Sequence, residues 1–315
     1  MLDSSRLAEV LMKVANTRIR LREPMHLHTA LHIGGPAEIW AEPADIQALA
    51  ELLQAADPAA VPVTFVGGGA NLLVRDEGIP GLTIHLGHRN FAFCRKTVSG
   101  LQAGAGLPLE WLIRNAQQAG LSGVEFLAGV PGRVGGAVRM NAGTRTDSGQ
   151  MRSMADVVTS VQVMDRTGRL ERLTTEAVGF GYRSSRLSDR IVLEADFTLA
   201  PDDPECIQDR VRKLWAVKRR TQDWTAPSSG CIFKNPPGEK SAGWLIDQAG
   251  FKGMRVGGVA ISGIHANFMM NVDRGSAQDV LTLIGRVQTK VRDQFGVTLE
   301  TEVRIIPEGE NNESS

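Results

Sequence analysis

Behind Asp45, the residues Ile46, Leu49, Leu52 and Leu53 recur at helical spacing and fall on one face before Pro58. The pattern predicts an amphipathic helix with Asp45 as its cap. Val61, Val63 and Phe65 then alternate as a strand that runs into Gly67-Gly68-Gly69. Beyond the glycines, Leu72-Leu73-Val74 and Leu82-Thr83-Ile84 flank an Asp76-Glu77-Gly78 turn and read as two more strands. No helix follows the glycine run, which disfavours the βαβ dinucleotide fold, where that run opens directly into a helix. Residues 108–118 form a second helix with Leu109, Leu112 and Ile113 inward, and strands are expected over 157–163, 170–173 and 191–199. A helix with Ile207, Val211, Leu214 and Trp215 on one side comes next. Ser276-Ala277-Gln278-Asp279 reads as a capping box, opening a helix that carries Val280, Leu283, Val287 and Val291 and closes at Gly296. The last stretch, 297–306, alternates as a strand with Val297, Leu299, Thr301, Val303 and Ile305 on one face and Glu300, Glu302 and Arg304 on the other.

This order of elements predicts an α+β protein. An acidic, proline-bearing stretch at 202–205 sets the expected boundary, with a large N-terminal domain over 1–200, a smaller C-terminal α/β domain over 201–307 and a disordered polar tail over 308–315. Lysine and arginine total 35 against 35 acidic residues, so the chain lacks the broad positive field of a nucleic-acid or anionic-membrane binder. An anionic ligand must therefore be met by local groups. Glu9, Lys13, Arg18 and Arg20 interrupt the first 21 residues, and no apolar run reaches membrane-spanning length, so a cytoplasmic location is expected. Three widely spaced cysteines, Cys94, Cys206 and Cys231, argue against a disulfide framework or a zinc site, and each reads first as a small buried apolar group.

Gly67, Gly68 and Gly69, followed by Ala70 and Asn71, can turn several backbone N–H groups inward as a nest for a pyrophosphate. Taken alone they fit a tight connection between strands better. A second run, Gly129-Val130-Pro131-Gly132-Arg133-Val134-Gly135-Gly136, alters the balance, because two such loops suggest one extended dinucleotide gripped from two sides.

Several longer segments, "FVGGGANLLVRDEGIPGLTIHL", "GLSGVEFLAGVPGRVGGAVRMNAG", "FGYRSS", "GCIFKNP", "AGWLIDQAGFKG", "HANFMMN" and "LETEV", together resemble, in this order, the signature segments of the UDP-N-acetylenolpyruvoylglucosamine reductases. The resemblance covers the chain from about Thr29 to Ile306. It implies an FAD domain of the vanillyl-alcohol-oxidase type, a C-terminal substrate domain, NADPH as reductant and a nucleotide-sugar substrate, with no nucleic-acid or membrane partner and a monomeric chain. With no tyrosine beyond Tyr182, the chain resembles the shorter, second subtype. On matched positions the resemblance assigns the FAD pyrophosphate to Gly67, Gly68, Gly69, Ala70 and Asn71, and the flavin side to Gly129, Val130, Gly132, Gly135, Gly136 and Asn141. It makes Arg183, Cys231 and Glu302 catalytic, gives substrate contacts to Tyr182, Lys234 and Asn235, and calls for no metal. Neither glycine loop holds a histidine or cysteine that could bond to the flavin, His88 and Cys94 being the nearest, so FAD is expected to be noncovalent.

These roles suit the reaction. Hydride delivery to C3 of an enolpyruvyl ether pushes negative charge toward its carboxylate. Arginine offers a planar bidentate fork to that group, and a protonated glutamate can donate to the developing oxyanion. On their own patterns, Arg183 could equally be a surface ion-pair partner and Glu302 a solvated strand residue. The family has serine where this chain has Cys231. An ordinary thiol, with a pKa of about 8.5, is mostly protonated near neutrality and can supply the proton that C2 needs; as a bare sequence feature, Cys231 is also a possible buried filler. Two further departures are Gln222-Asp223, where the family has Gln-Pro, and Thr144-Arg145-Thr146 after "NAG", which makes Arg145 a candidate partner for the NADPH phosphate. His265 reads as a packed, hydrogen-bonded residue. Two rival readings are another oxidase on the same FAD scaffold and a catalytically silent flavin or nucleotide binder.

Overall fold

A computed structural model describes residues 4–56, 61–146 and 149–308. The tail expected from Glu308 onward lies, but for Glu308 itself, outside the described residues. Contacts divide the chain into two units, each discontinuous in sequence. The first takes Met1–Leu21, Ile39–Gly68 and Gly81–Lys218; the second takes Arg22–Glu38, Gly69–Pro80 and Arg219–Ser315.

In the first unit, the Asp45 carboxylate accepts the Ala48 N–H at 2.8 Å and starts the Ile46–Ala56 helix. Leu49, Leu52 and Leu53 are buried from it, each contributing on the order of 2 kcal/mol by leaving water. Ile46, counted on the same face, sits exposed at the first turn. A five-stranded antiparallel sheet forms the larger core, in the order Leu170–Thr174, Val158–Met164, Ile191–Thr198, Gly100–Gly104 and Cys94–Lys96. The Leu109–Gln118 helix buries Leu109, Leu112 and Ile113 in the same cluster, together with Val161, Phe197 and Leu214. Leu214 belongs to the Pro204–Thr221 helix, whose apolar side also packs Val211 and Trp215 against this core.

Two local outcomes differ from the periodicity. A helix, Val134–Arg139, begins inside the second glycine run, where glycine's low helix propensity gives no hint of one. It is held from outside, since Val134 and Gly135 donate their N–H groups to Leu107 and Ala105 carbonyls at 2.9 Å each. Cys206 is exposed on the first turns of the Pro204–Thr221 helix rather than buried, while Cys94 packs against the core.

The second unit is built on a four-stranded antiparallel sheet ordered Ser228–Cys231, Phe268–Asn271, Val259–Ile261 and Arg255–Val256. The Ala277–Phe295 helix has the expected capping box of Ser276 and Asp279 and ends at Gly296 with a left-handed φ of 69°. Asp76, some 200 residues earlier, accepts the N–H groups of Ala277 and Gln278 at 2.9 and 3.0 Å, complementing the positive end of the helix dipole. Leu31, Ile33 and Leu73 fill the core of this unit beside Val280, Leu283, Val287 and Val291.

The strand expected over 297–306 is a strand only at Arg304–Ile306, which pairs in parallel with Leu72–Val74. The alternation did mark burial, for Leu299 and Val303 are inside. The ladder breaks because the N–H groups of Glu302 and Val303 both point at the Ile232 carbonyl, at 2.7 and 3.3 Å, so that the chain bends there.

Candidate functional site

In the first unit, Gly67 and Gly68 of the first glycine-rich run meet the second run. A β-carbon placed on Gly68 would lie 2.9 Å from the α-carbon of Gly132, so a side chain there would push the runs apart. By contrast, a β-carbon on Gly67 or Gly136 would meet no atom within 4 Å, because both line an open cleft. Gly135 lines it as well, together with Arg133, Arg139 and Arg190. Bare backbone beside arginine side chains suits a phosphate-bearing ligand, and Arg190 also pairs with the Asp165 and Glu171 carboxylates at 4.0 and 3.7 Å. Arg133 donates to the Gly106 carbonyl, and burial lowers its pKa. Arg139 donates to the Leu187 and Ser188 carbonyls at 3.1 and 3.2 Å. Sequence reasoning missed all three arginines. Arg133 and Arg139 lie within the matched glycine segment and could have been found there; Arg190 carries no signal of its own.

Arg183 stands at the tip of a two-residue turn closed by reciprocal hydrogen bonds between Gly181 and Ser184, at 3.0 and 3.3 Å. Its φ of 53° is left-handed, a costly conformation for a residue with a β-carbon and one that clusters at functional sites. The guanidinium lies 5.5 Å from the centre of the Tyr182 ring. Asn141, assigned to the cofactor from sequence, holds this turn: its amide donates to the Gly181 carbonyl at 2.8 Å and accepts the Ala155 N–H at 3.0 Å. Gly129 and Val130 begin the second run just before Gly132. Arg145 lies in a short strand pair with Met151–Ser153 and donates to the Gly149 carbonyl at 3.0 Å.

The second unit brings together the remaining candidates. Cys231 is half-buried at the end of the edge strand, opposite Phe268. The register slips between Ser228 and Cys231, where Gly230 has a φ of 76°, and such a bulge re-aims the side chain that follows it. One residue on, the Ile232 carbonyl accepts the Glu302 N–H at 2.7 Å, so Cys231 and Glu302 lie on neighbouring segments. Asn71 joins them from the first glycine run by donating its amide to the Glu302 carbonyl at 2.8 Å. Gly69 accepts the Ala30 N–H at 3.1 Å, which fixes the loop before Ala70. Lys234 pairs with the Glu300 carboxylate at 3.1 Å, and the Asn235 side chain accepts the Ala242 N–H at 3.0 Å.

Asn267 is the residue in this unit that sequence reasoning passed over. Buried to 3% exposure, it accepts the Phe233 N–H at 2.9 Å and donates to the Phe233 carbonyl at 2.8 Å, clamping the strand that carries Cys231. Its signal was the quoted "HANFMMN" segment. His265 there is packed, with its ring 4.5 Å from that of Phe268 and its Nδ1 accepting the Asn267 N–H at 3.3 Å; burial lowers its pKa. At the departure Gln222-Asp223, Asp223 accepts hydrogen bonds from Ser262 and Thr225, at 2.8 and 2.6 Å. No group of three or more histidine, cysteine or acidic side chains among the described residues could hold a metal ion, and no described helix is long and apolar enough to cross a membrane.

Comparison with known proteins adds an independent line. Residues 37–174 match the FAD binding domain family, and residues 222–306 match the family described as UDP-N-acetylenolpyruvoylglucosamine reductase, C-terminal domain. A reductase of that name from Symbiobacterium thermophilum is 43% identical over 292 residues, covering 91% of this chain and 92% of the relative. One from Lactococcus lactis subsp. cremoris is 42% identical over 302 residues, covering 95% and 98%. Among solved structures, the Thermus caldophilus UDP-N-acetylenolpyruvylglucosamine reductase superposes with a TM-score of 0.77 at 37% identity, covering 92% of this chain and 99% of that one. The α+β architecture with an FAD-binding domain is therefore as expected from sequence.

Proposed function

Because this chain belongs to the UDP-N-acetylenolpyruvoylglucosamine reductase family, and is an FAD-dependent oxidoreductase that reduces UDP-N-acetylenolpyruvoylglucosamine to UDP-N-acetylmuramate with NADPH, we propose how its own residues divide that work. When bound, FAD supplies the hydride chemistry between NADPH and the enolpyruvyl double bond. The residues fit it: Gly67 and Gly136 leave open space where side chains would stand, and Arg133, Arg139 and Arg190 line the same cleft. In this reading Gly67, Gly68, Gly69, Ala70 and Asn71 hold the pyrophosphate noncovalently, while Gly129, Val130, Gly132, Gly135 and Gly136 line the flavin side and Asn141 supports them through the Gly181 turn.

Arg183 grips the carboxylate of the enolpyruvyl group. Glu302, protonated, donates to the oxyanion that develops as C3 gains hydride, and the Cys231 thiol then delivers a proton to C2, where the new C–H bond forms and the enolate charge is quenched. Tyr182, Lys234 and Asn235 contact the nucleotide sugar. Residues 201–307 form the substrate domain, and the enzyme acts as a cytoplasmic monomer. One observation carries the assignment of the proton donor: the Glu302 N–H bonded to Ile232, which sets the thiol-bearing strand beside the glutamate segment. The test is anaerobic. NADPH should bleach the yellow protein, and UDP-N-acetylenolpyruvoylglucosamine should restore the colour; a protein that stays bleached until oxygen enters would be an oxidase or a silent flavin binder.

A further inference from the structure

Lys218 is unusual for a lysine, only 8% exposed near the end of the Pro204–Thr221 helix. Its ammonium donates to the Ala128 carbonyl at 2.5 Å. Its methylene stem and the Trp215 ring back the next residue, since a β-carbon on Gly129 would lie 2.9 Å from Lys218 Cδ and 3.5 Å from Trp215. Gly129 takes a left-handed φ of 70°. Two turns earlier on the same helix, Arg210 holds Glu125 at 2.9 Å, so the helix grips the 125–129 stretch at two points. The Ala128–Gly129 peptide thus carries a cation on its carbonyl end. Among the described residues its other end, the Gly129 N–H, has no acceptor. A charge on the carbonyl polarises the peptide and makes the opposite N–H a stronger donor.

We propose that Lys218 is a positioning residue for the reaction, which polarises the Ala128–Gly129 peptide so that its N–H favours the electron-rich, reduced form of the bound flavin. This rests on the reading that Gly129 and Val130 line the flavin side. A neutral amine would leave the carbonyl bonded to a weaker donor, and an apolar side chain would leave it unbonded. Burying an ammonium is costly, and a surface lysine would suffice for a merely structural tie to one carbonyl. The amine is held at about 8 by burial, so it is mostly charged at neutral pH despite its surroundings.

The experiment measures the midpoint potential of bound FAD in holoenzyme carrying Lys218→Met, Lys218→Arg or the parent residue, using a reference dye, with oxidised-flavin affinity measured separately. Lys218→Met should bind reduced FAD about tenfold less well relative to oxidised FAD, a fall of about 30 mV for a two-electron couple. Lys218→Arg, which keeps a charge, should recover most of that ratio. A Lys218→Met potential within twofold of the parent overturns the proposal, as does a Lys218→Arg protein that falls as far as Lys218→Met. Gly129→Ala separates the underlying reading: an unaltered flavin spectrum and affinity in that variant would mean that the loop does not touch the flavin. A disturbed spectrum there, with no potential change in Lys218→Met, would defeat the role of Lys218 alone.

Discussion

At the scale of single residues, Cys231 makes the sharpest test, because it differs from the family's serine at the position assigned to protonation. Cys231→Ala should bleach with NADPH at the parent rate, while reoxidation by the enolpyruvyl nucleotide falls by about 10²–10⁴, the usual worth of a general acid. Stopped-flow measurement of the two half-reactions checks this, and equal slowing of both would remove the thiol from the proton step. Arg183→Lys should lose most turnover yet keep its fold, since lysine has the charge without the fork; a near-parent rate with an unchanged melting temperature would place the carboxylate elsewhere. Lys218 predicts a pH-dependent stability. Its amine titrates at about 8 in the folded chain against an ordinary 10.5, so the folded state carries a burial penalty that is full below pH 8 and fades as pH rises toward 10.5. The stability of Lys218→Met relative to the parent should therefore fall by roughly 1–3 kcal/mol between pH 7 and pH 10 in urea unfolding, whatever the lost bond to the Ala128 carbonyl costs at each pH. A relative stability that rises with pH would contradict the sign.

Among elements, the second glycine run shows how much was legible in the sequence. Its role as a loop against the first run was readable, because only glycine fits where a β-carbon on Gly68 would lie 2.9 Å from the Gly132 α-carbon. Its inner helix was not, because Val134–Arg139 is sustained by hydrogen bonds to Leu107 and Ala105, and no pattern of period 3.6 reports a tertiary partner. The same distinction explains the C-terminal stretch, where alternation foretold that Leu299 and Val303 are buried, but the shared Ile232 carbonyl decided that the backbone bends. Gly68→Val should separate the runs and abolish FAD binding, as ultrafiltration of the yellow protein would measure. A folded variant that retains stoichiometric flavin would show that the close approach is dispensable.

For the molecule as a whole, two of the three assigned catalytic groups, Cys231 and Glu302, belong to one unit, and Arg183 to the other. Sequence order hides this arrangement, since Asn71 and Asp76 lie within the first quarter of the chain yet bond to Glu302, Ala277 and Gln278. A domain boundary can be read from a turn-like stretch, whereas a unit assembled from three separate segments leaves no local mark.

The parallel pairing of Leu72–Val74 with Arg304–Ile306 has a consequence for biosynthesis. A ribosome releases Leu73 long before Ile305 exists, so the apolar strand and its neighbours Leu31 and Ile33 must wait, unsatisfied, through more than two hundred residues of translation. Closing so large a loop is entropically slow, and contacts of this span govern folding speed. In pulse-labelled hydrogen exchange during refolding, the amides of Leu72–Val74 should gain protection late, together with those of Arg304–Ile306, and after the Val158–Met164 and Ile191–Thr198 strands are already shielded. Simultaneous protection of all four strands would refute that order. During the interval the nascent chain presents an unpaired apolar edge, the kind of surface that chaperones bind and that aggregation exploits.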